Sequence, residues 1–347
     1  MAGPNTSWPE ITTTTLYNRS GKLRDNVSKN NAILRRLNAK GKVKSFDGGQ
    51  AIVQEIEYSE NGTYKRYSGY DVLSVAPSDV FTAAQFAIAQ AAVAISISGL
   101  EMLQNSGREK MIDLLEARIG NAERTFGNNL SADMYSNGTS DGGKQIGGLQ
   151  SLVADTPTSG TVGGIDRATW YFWRNQNQSF ATNSLTPGPA TMQTMMNRLW
   201  LNLCRGGDKP DLFIADNTYF RYYWESLQAI QRISSTDEGM AGFGSLKFMT
   251  ADVVFDGGFQ GIGSGTGPAL GAGVTWTGTA GTAGGEPANH MYGLNTDYIY
   301  LRPHKDRNMV PIDPDRFAVN QDAMVKLIGW AGNMTMSNAF LQGAIVA

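Results

Sequence analysis

The apolar positions of this chain follow several periods in turn. Residues 1–45 show none; Pro4, Pro9 and the run Thr12 to Thr15 read as an extended segment. Between 48 and 75 the period is two. Ile52, Gln54, Ile56 and Tyr58 alternate with Val53, Glu55 and Glu57. Ser59-Glu60-Asn61-Gly62-Thr63 follows, and Tyr64 and Arg66 resume a strand-compatible pattern. Asn-Gly between two such runs is a hairpin signal, because both turn positions accept a positive φ. The pattern predicts a long β-hairpin with its tip at Asn61-Gly62. A lone two-stranded hairpin is marginal in water, so its own body or a neighbouring subunit must cover it.

Alternation returns at Val93, Ile95 and Ile97 and predicts a strand over 92–98. Ser98 with Glu101, and Ser106 with Glu109, have capping-box spacing. Met111, Leu115, Ile119, Ala122, Phe126, Leu130 and Met134 then step by three or four. This predicts a helix from about Arg108 to Tyr135, roughly 40 Å long. Gly120 and Gly127 weaken it, and Asn137-Gly138 ends it. One narrow apolar stripe on so long a helix suits a structural spine better than a catalytic element.

Residues 137–190 are turn-rich and hold the cluster Trp170, Tyr171, Phe172, Trp173 and Arg174. A core anchor or interface hot spot, with Arg174 stacked on an indole, is favoured over a base-stacking platform. Stacking platforms interleave aromatic and basic residues, and this cluster does not. Residues 191–255 read as an α/β unit. Met192, Met195, Met196, Leu199 and Leu203 are helically spaced, and Gly206-Gly207 stops that helix. A short buried strand over 211–215, a helix over 217–232 and strands over 246–255 complete the unit. Residues 257–286 are Gly/Ala/Thr-rich and read as a surface loop. Strand patterns return over 291–302 and 322–347.

Composition sharpens this picture. The chain has 347 residues, of which 41 are Gly, and only 17% are charged. Polarity therefore comes from Gly, Ser, Thr, Asn and Gln, which suits loop-rich β folds and surfaces that meet other proteins. A net charge of −2 argues against a dedicated nucleic-acid binder. The charge is unevenly placed. Arg19, Lys22, Arg24, Lys29, Arg35, Arg36, Lys40, Lys42 and Lys44 face the lone acid Asp25 in one stretch, leaving an acidic remainder. Such a basic arm is solvated, or lies on an acidic neighbour, or faces nucleic acid. No secretory signal is evident at the N-terminus. Phe81 to Gly99 is broken by Gln85, Gln90, Ser96 and Ser98 and makes a poor spanning helix. No membrane partner is expected.

Candidate chemistry is sparse. Cys204 is the one cysteine, so a disulfide framework and a multi-cysteine metal site are excluded. It reads as a small core residue. His290 and His304 are the only histidines. His304, in Arg302-Pro-His-Lys-Asp306, reads as a loop residue, with a general base paired to Asp306 as the alternative. Gly261-Ile-Gly263-Ser-Gly265 lacks the flanking strand and helix of a dinucleotide loop. Asp313 and Asp315 form no metal motif by themselves. No cofactor, no metal and no enzymatic activity are expected.

The order of these pieces, with four segments, carries a resemblance. The segments are SGLEMLQNSGREKMIDLLEARIGNAERT at 98–125, IGGLQSLV at 146–153, TVGGIDRATWYFWRN at 161–175 and LNTDYIYLRPH at 294–304. Together they resemble the major capsid protein of tailed bacteriophages, the family with the HK97 fold. The resemblance implies an α+β fold with an N-terminal arm (1–45) and an extended β-hairpin loop (46–80). It also implies a peripheral domain (81–186) with a spine helix (106–136), and an axial domain (187–318) carrying the Gly-rich loop 257–286. A peripheral strand (319–336) and a C-terminal axial segment (337–347) would follow.

By the same resemblance, Glu55, Glu57, Asn61, Gly62, Tyr64, Lys65 and Arg66 would lie on a neighbouring subunit. Arg19, Lys22, Arg24, Lys29, Arg35 and Arg36 would touch a neighbour or DNA. Met111, Leu115, Ile119, Phe126 and Leu130 would form the packing face of the spine helix, with Trp170, Trp173 and Arg174 as an aromatic anchor. The implied function is a self-assembling icosahedral shell of hexamers and pentamers enclosing double-stranded DNA. It would form in the host cytoplasm and end in the virion. Implied partners are a separate scaffolding protein, a portal and a cement protein. Lys65 lies near the position of a cross-linking lysine in some relatives, yet non-covalent locking is expected. An encapsulin-like bacterial cage is the alternative, and a Gly-rich hydrolase using His304 a remoter one.

Overall fold

A computed structural model of the chain describes residues 32–104, 114–229, 246–256, 287, 289–317 and 323–347. Besides single turns, the helices are α1 (Ala32–Ala39), α2 (Gly99–Gln104), α3 (Leu114–Asp133), α4 (Pro189–Leu203) and α5 (Asn217–Ala229). The early strands are β1 (Ile52–Glu57), β2 (Phe81–Phe86), β3 (Ala89–Ser98), β4 (Thr161–Val162), β5 (Ile165–Asp166) and β6 (Gln176–Ser179). The later ones are β7 (Leu212–Ala215), β8 (Leu246–Phe248), β9 (Ala251–Phe255), β10 (His290–Leu294), β11 (Ile299–Phe317), β12 (Ala323–Met336) and β13 (Gly343–Val346).

The run Leu212-Phe213-Ile214-Ala215 is apolar without alternation, as a strand covered on both faces must be. As β7 it lies inside a mixed six-stranded sheet of order β6-β13-β10-β7-β9-β8. Phe213, Ala215 and Val253 join the helices α4 and α5 in one core cluster. Leu212, Ile214 and Tyr292 join a second cluster that includes Ile33 and Leu37 of α1. The arm is therefore not extended throughout, as its prolines and threonines predict. Those residues lie outside the described part, whereas Ile33 and Leu37, four apart, give α1 a buried stripe. In α4, Pro189 opens the helix, where a missing N–H costs nothing. Met192, Met195, Met196, Leu199 and Leu203 are all buried. Asp216 accepts from the Tyr219 amide at 2.9 Å and caps α5.

The second sheet is antiparallel, β11-β12-β3, and carries the long helix α3. Ala122 packs with Ile95 and Ile328, while Phe126, Leu130 and Met134 enter the larger core. The described helix spans 20 residues, about 30 Å. Met111 and the Ser106/Glu109 pair lie outside the described residues. Leu115 and Ile119 are on α3, but their side chains are not among those described. The first capping box forms in full: Ser98 N donates to Glu101 Oε2 at 3.1 Å, and Glu101 N to Ser98 Oγ at 3.3 Å. Arg118 then reaches Glu101 Oε1 at 2.7 Å and ties α3 to that box. Hydrogen bonds of Ser98 and the Arg118 charge offset burial and lower the Glu101 pKa.

Two expected boundaries move, because strands follow sheets rather than chain order. β11, expected in the axial part, pairs with β12 in the sheet under α3. β6, expected in the peripheral part, adds in parallel to β13 of the six-stranded sheet. The segment Phe81–Gly99 forms strands β2 and β3, and its last residue opens α2. Residues 257–286 and 230–232 lie outside the described residues.

The segment Ile146-Gly147-Gly148-Leu149 seals the C-terminal end of α3. Leu149 N donates to Met134 O at 2.8 Å, and Gly147 N to Asn333 Oδ1 at 3.0 Å. A Cβ on Gly148 would sit 2.5 Å from Asp133 O and from Ser136 N. Backbone cannot yield as a side-chain tip can. Gly148→Ala is expected to cost about 1–3 kcal/mol, at the upper end of that range. A denaturant melt of the purified chain measures it; an unchanged midpoint would contradict this packing.

Candidate assembly surfaces

The extended loop differs from its prediction. β1 pairs with β2 from Ile52 opposite Phe86 to Glu57 opposite Phe81, not with the stretch after Asn61-Gly62. Residues 58–80 hold no strand. The reason is local. Asn61 Oδ1 accepts from Thr63 N at 3.0 Å, Thr63 Oγ1 at 2.8 Å and Ser78 Oγ at 3.1 Å. That side-chain turn sits on a long backbone turn, Tyr64 N to Asn61 O at 3.5 Å, and neither Asn61 nor Gly62 has the positive φ of a tight hairpin turn. The ladder itself rests on its own body. Ile52 and Ile56 are buried, and Gln54 accepts from Arg302 at 3.1 Å. Glu55 and Glu57 face out.

Beyond the ladder, none of the other described residues covers the loop. Tyr64, Tyr67, Tyr70, Val72 and Val75 are exposed, Tyr70 at 105% and Val75 at 92%. Lys65 donates to Val72 O at 3.3 Å, and Arg66 is exposed. At the loop's root is an open cleft of about 410 Å³, lined by Tyr58, Asp79, Phe81, Trp170 and Phe172 among others.

The arm has more structure than its charge implied. Arg19, Lys22, Arg24 and Lys29 lie outside the described residues. Arg35 is exposed. Arg36, expected to touch a neighbour or DNA, is spent within the chain. Its guanidinium reaches Asp211 at 2.9 Å and Asp252 at 3.2 Å. Lys40 bridges Asp211 and Asp297, both at 3.0 Å. Ala32 N donates to Asp256 Oδ2 at 3.2 Å, and the Tyr135 hydroxyl to the same oxygen at 2.6 Å. For Arg36, Lys40 and Lys42 the acidic partner is thus the chain's own body, reached only because the fold brings β7, β9 and the Asn295–Tyr298 turn under α1. Burial alone would raise the Asp211 pKa. Hydrogen bonds from Thr296, Lys40 and Arg36 outweigh it and hold the carboxyl below its ordinary value.

The aromatic cluster divides. Trp173 is buried and donates from Nε1 to Val162 O at 3.0 Å. Trp170 is half-exposed beside Tyr58, ring centroids 6.1 Å apart. Arg174 stacks on Tyr171, 5.6 Å from its centroid, instead of on an indole. Its nitrogens donate to Arg167 O and Ala168 O at 2.6 Å, which fixes that geometry. Sequence reasoning missed Arg167. It is buried and donates to the carbonyls of Ser151 and Leu152, and burial lowers its pKa to about 10. Nothing in the pattern marks an arginine as buried before its carbonyl partners are in place.

The chemical candidates do not assemble into a site. His304 lies in strand β11 rather than a polar turn, with its ring edge-on to Phe46. Its Nδ1 accepts from the Asp306 amide at 3.1 Å, so the pairing is to backbone and not to the carboxylate. His290 is buried and meets Asp155 Oδ1 at 2.9 Å. Burial raises the Cys204 pKa, against Lys209, so its thiol is held less reactive. The glycine string 261–265 lies outside the described residues, as do the side chains of Asp313 and Asp315. Among the described residues no group of three or more His, Cys, Asp or Glu is placed to hold a metal ion. None of their helices is long and apolar enough to cross a membrane.

No family model and no curated protein matches the sequence. Solved structures do match. A chain of the Cyanophage A-1(L) capsid asymmetric unit superposes with a TM-score of 0.54 at 13% identity, covering 88% of this chain and 90% of that one. The holo-SrpI encapsulin complex from Synechococcus elongatus PCC 7942 gives 0.52 at 7% identity, covering 95% and 94%. The fold is that of HK97-type shell subunits. A Mycobacterium phage Bobi chain gives 0.51 at 12% identity, covering 94% and 93%. These matches span 88–95% of this chain, so the HK97-type fold is not confined to one of the sheets.

Proposed function

We propose that this chain is the major capsid (head) protein of a tailed bacteriophage. It assembles as hexamers and pentamers into an icosahedral shell around double-stranded DNA. The observation that carries this reading is the loop that the other described residues leave uncovered. Residues 58–80 expose a row of large apolar side chains on a chain whose fold is that of shell subunits. Monomeric proteins rarely leave such a surface open, and a neighbouring copy is what covers it. Residues 1–45 act as the arm, 46–80 as the extended loop and α3 as the spine. Its work is structural. It assembles in the host cytoplasm with a scaffolding protein and a portal, and the virion shell is its final place.

An encapsulin-like cage is the second reading, favoured by the Synechococcus encapsulin match. Electron microscopy of the purified chain, alone and with its scaffold, is expected to show closed shells or capsomer rings. A folded monomer in both samples would defeat both readings. Nucleic acid inside the particles selects the phage head, and protein cargo selects the cage.

A further inference from the structure

After α1 the arm turns back along β11. Lys44 N donates to Leu301 O at 3.0 Å, Leu301 N to Lys42 O at 3.2 Å, and Phe46 N to Pro303 O at 3.1 Å. Residues 43–46 thus run parallel beside β11, with Val43 bridged to Leu301 and Phe46 to His304. Alternation decides which side chains share a face. Leu301 is buried and Val43 packs on the core. Their neighbours Lys42, Lys44, Tyr300 and Arg302 take the opposite face.

All three cations converge on one ring. Lys42 Nζ is 5.5 Å, Lys44 Nζ 5.2 Å and the Arg302 guanidinium carbon 5.3 Å from the Tyr300 centroid. Among the described residues Asp297 is the one carboxylate ion-paired with this cluster, already shared by Lys40 at 3.0 Å and Lys42 at 3.4 Å. Among the described residues Lys44 and Arg302 have no carboxylate partner. Like charges this close repel, and the ring's negative face offsets only part of that. Lys305, further along β11, is paired with Asp47 at 3.7 Å and adds no free cation to the cluster. None of the exposed large apolar side chains lies in 40–47 or 297–308. A protein interface would want an apolar centre there, whereas phosphate contact needs only charge.

We propose that Lys42, Lys44 and Arg302, arrayed around Tyr300, form a cradle for the phosphodiester backbone of duplex DNA, gripping it without reading its bases. The identity of the ligand rests on the phage-head reading; the anion-binding geometry does not. The test is fluorescence anisotropy of a labelled duplex with the full chain over a salt series. The double variant Lys42→Gln, Lys44→Gln is expected to reduce the slope of log K against log salt by about 1.8, whatever the duplex sequence. Lys42→Arg, Lys44→Arg keeps the original slope. The control Lys144→Gln, Lys209→Gln removes equal charge from exposed sites and leaves it unchanged. An unchanged slope in the first variant, or an equal fall in the control, overturns the cradle.

Because Lys42 also holds Asp297, a thermal melt accompanies each variant. If the double variant melts early, Lys44→Gln alone decides, with an expected loss of about 0.9. Loss of particles with an unchanged DNA slope would assign the patch to a neighbouring subunit and refute the cradle. Shells that form normally with an unchanged slope would refute only the cradle. The expected slope change in a chain that never forms shells would refute only the phage-head reading.

Discussion

Replacing Tyr67, Tyr70, Val72 and Val75 together by serine abolishes particle assembly and leaves the isolated chain as stable as before. All four side chains are exposed. Surface substitutions of that kind shift stability by no more than about 0.5 kcal/mol. At a contact with a neighbour each would bury its apolar area, contributing about 1.5–3 kcal/mol for a fully covered side chain. A shell repeats that contact at every subunit, so the loss multiplies across the assembly. Electron microscopy and size-exclusion chromatography read assembly, and a thermal melt reads the fold. Particles of normal yield would remove the loop from the interface. A lowered melting temperature would mean that the loop packs on its own chain after all.

The second large effect falls on the arm. Asp211→Asn removes the charge that Arg36 and Lys40 share, and weakens the site that accepts from the Thr296 amide and hydroxyl, both at 2.7 Å. Stranding a charge by removing its buried partner costs about 3–5 kcal/mol. Here Arg36 and Lys40 remain 22% and 25% exposed and keep Asp252 and Asp297, so about 2–3 kcal/mol is expected. Amide exchange over residues 32–42 is the direct readout, and it rises as α1 leaves the sheet. Unchanged protection would show that Ile33 and Leu37 hold the helix without the ion pairs.

The same carboxylate gives a pH signature. Its folded pKa lies below the unfolded value, near about 3.9. Its contribution is therefore fully present above the unfolded pKa and is lost as pH falls through the folded one. Protection of α1 stays level above about pH 4 and falls below it, and Asp211→Asn lacks that step. Neutralising Arg36 thus tests the fold of a single chain.

Much of the architecture was legible because it rests on local periods. The spacing of Met192 to Leu203, the unbroken run Leu212–Ala215 and the Ser98/Glu101 box each carry their own physical instruction. So do the alternations that became β3 and β12. The motif Ile146-Gly147-Gly148-Leu149 was visible as a string, but its reason, a backbone contact against the end of α3, was not. Asn61-Gly62 shows how a local rule loses. Its turn chemistry predicts a hairpin tip, yet Ser78, 17 residues on, shares the Asn61 oxygen, and the partner strand begins only at Phe81.

What the sequence determined by itself is the kind of elements, their order and the uneven charge, since helix, strand and turn preferences act within a few residues. What only the tertiary structure decided is which distant residues share a surface. Arg36 meets Asp211 across 175 positions, and Lys42 and Lys44 join Arg302 around Tyr300. Ion pairs and charge clusters depend on distances of a few ångströms, and those exist only after the core has closed and drawn the two segments together.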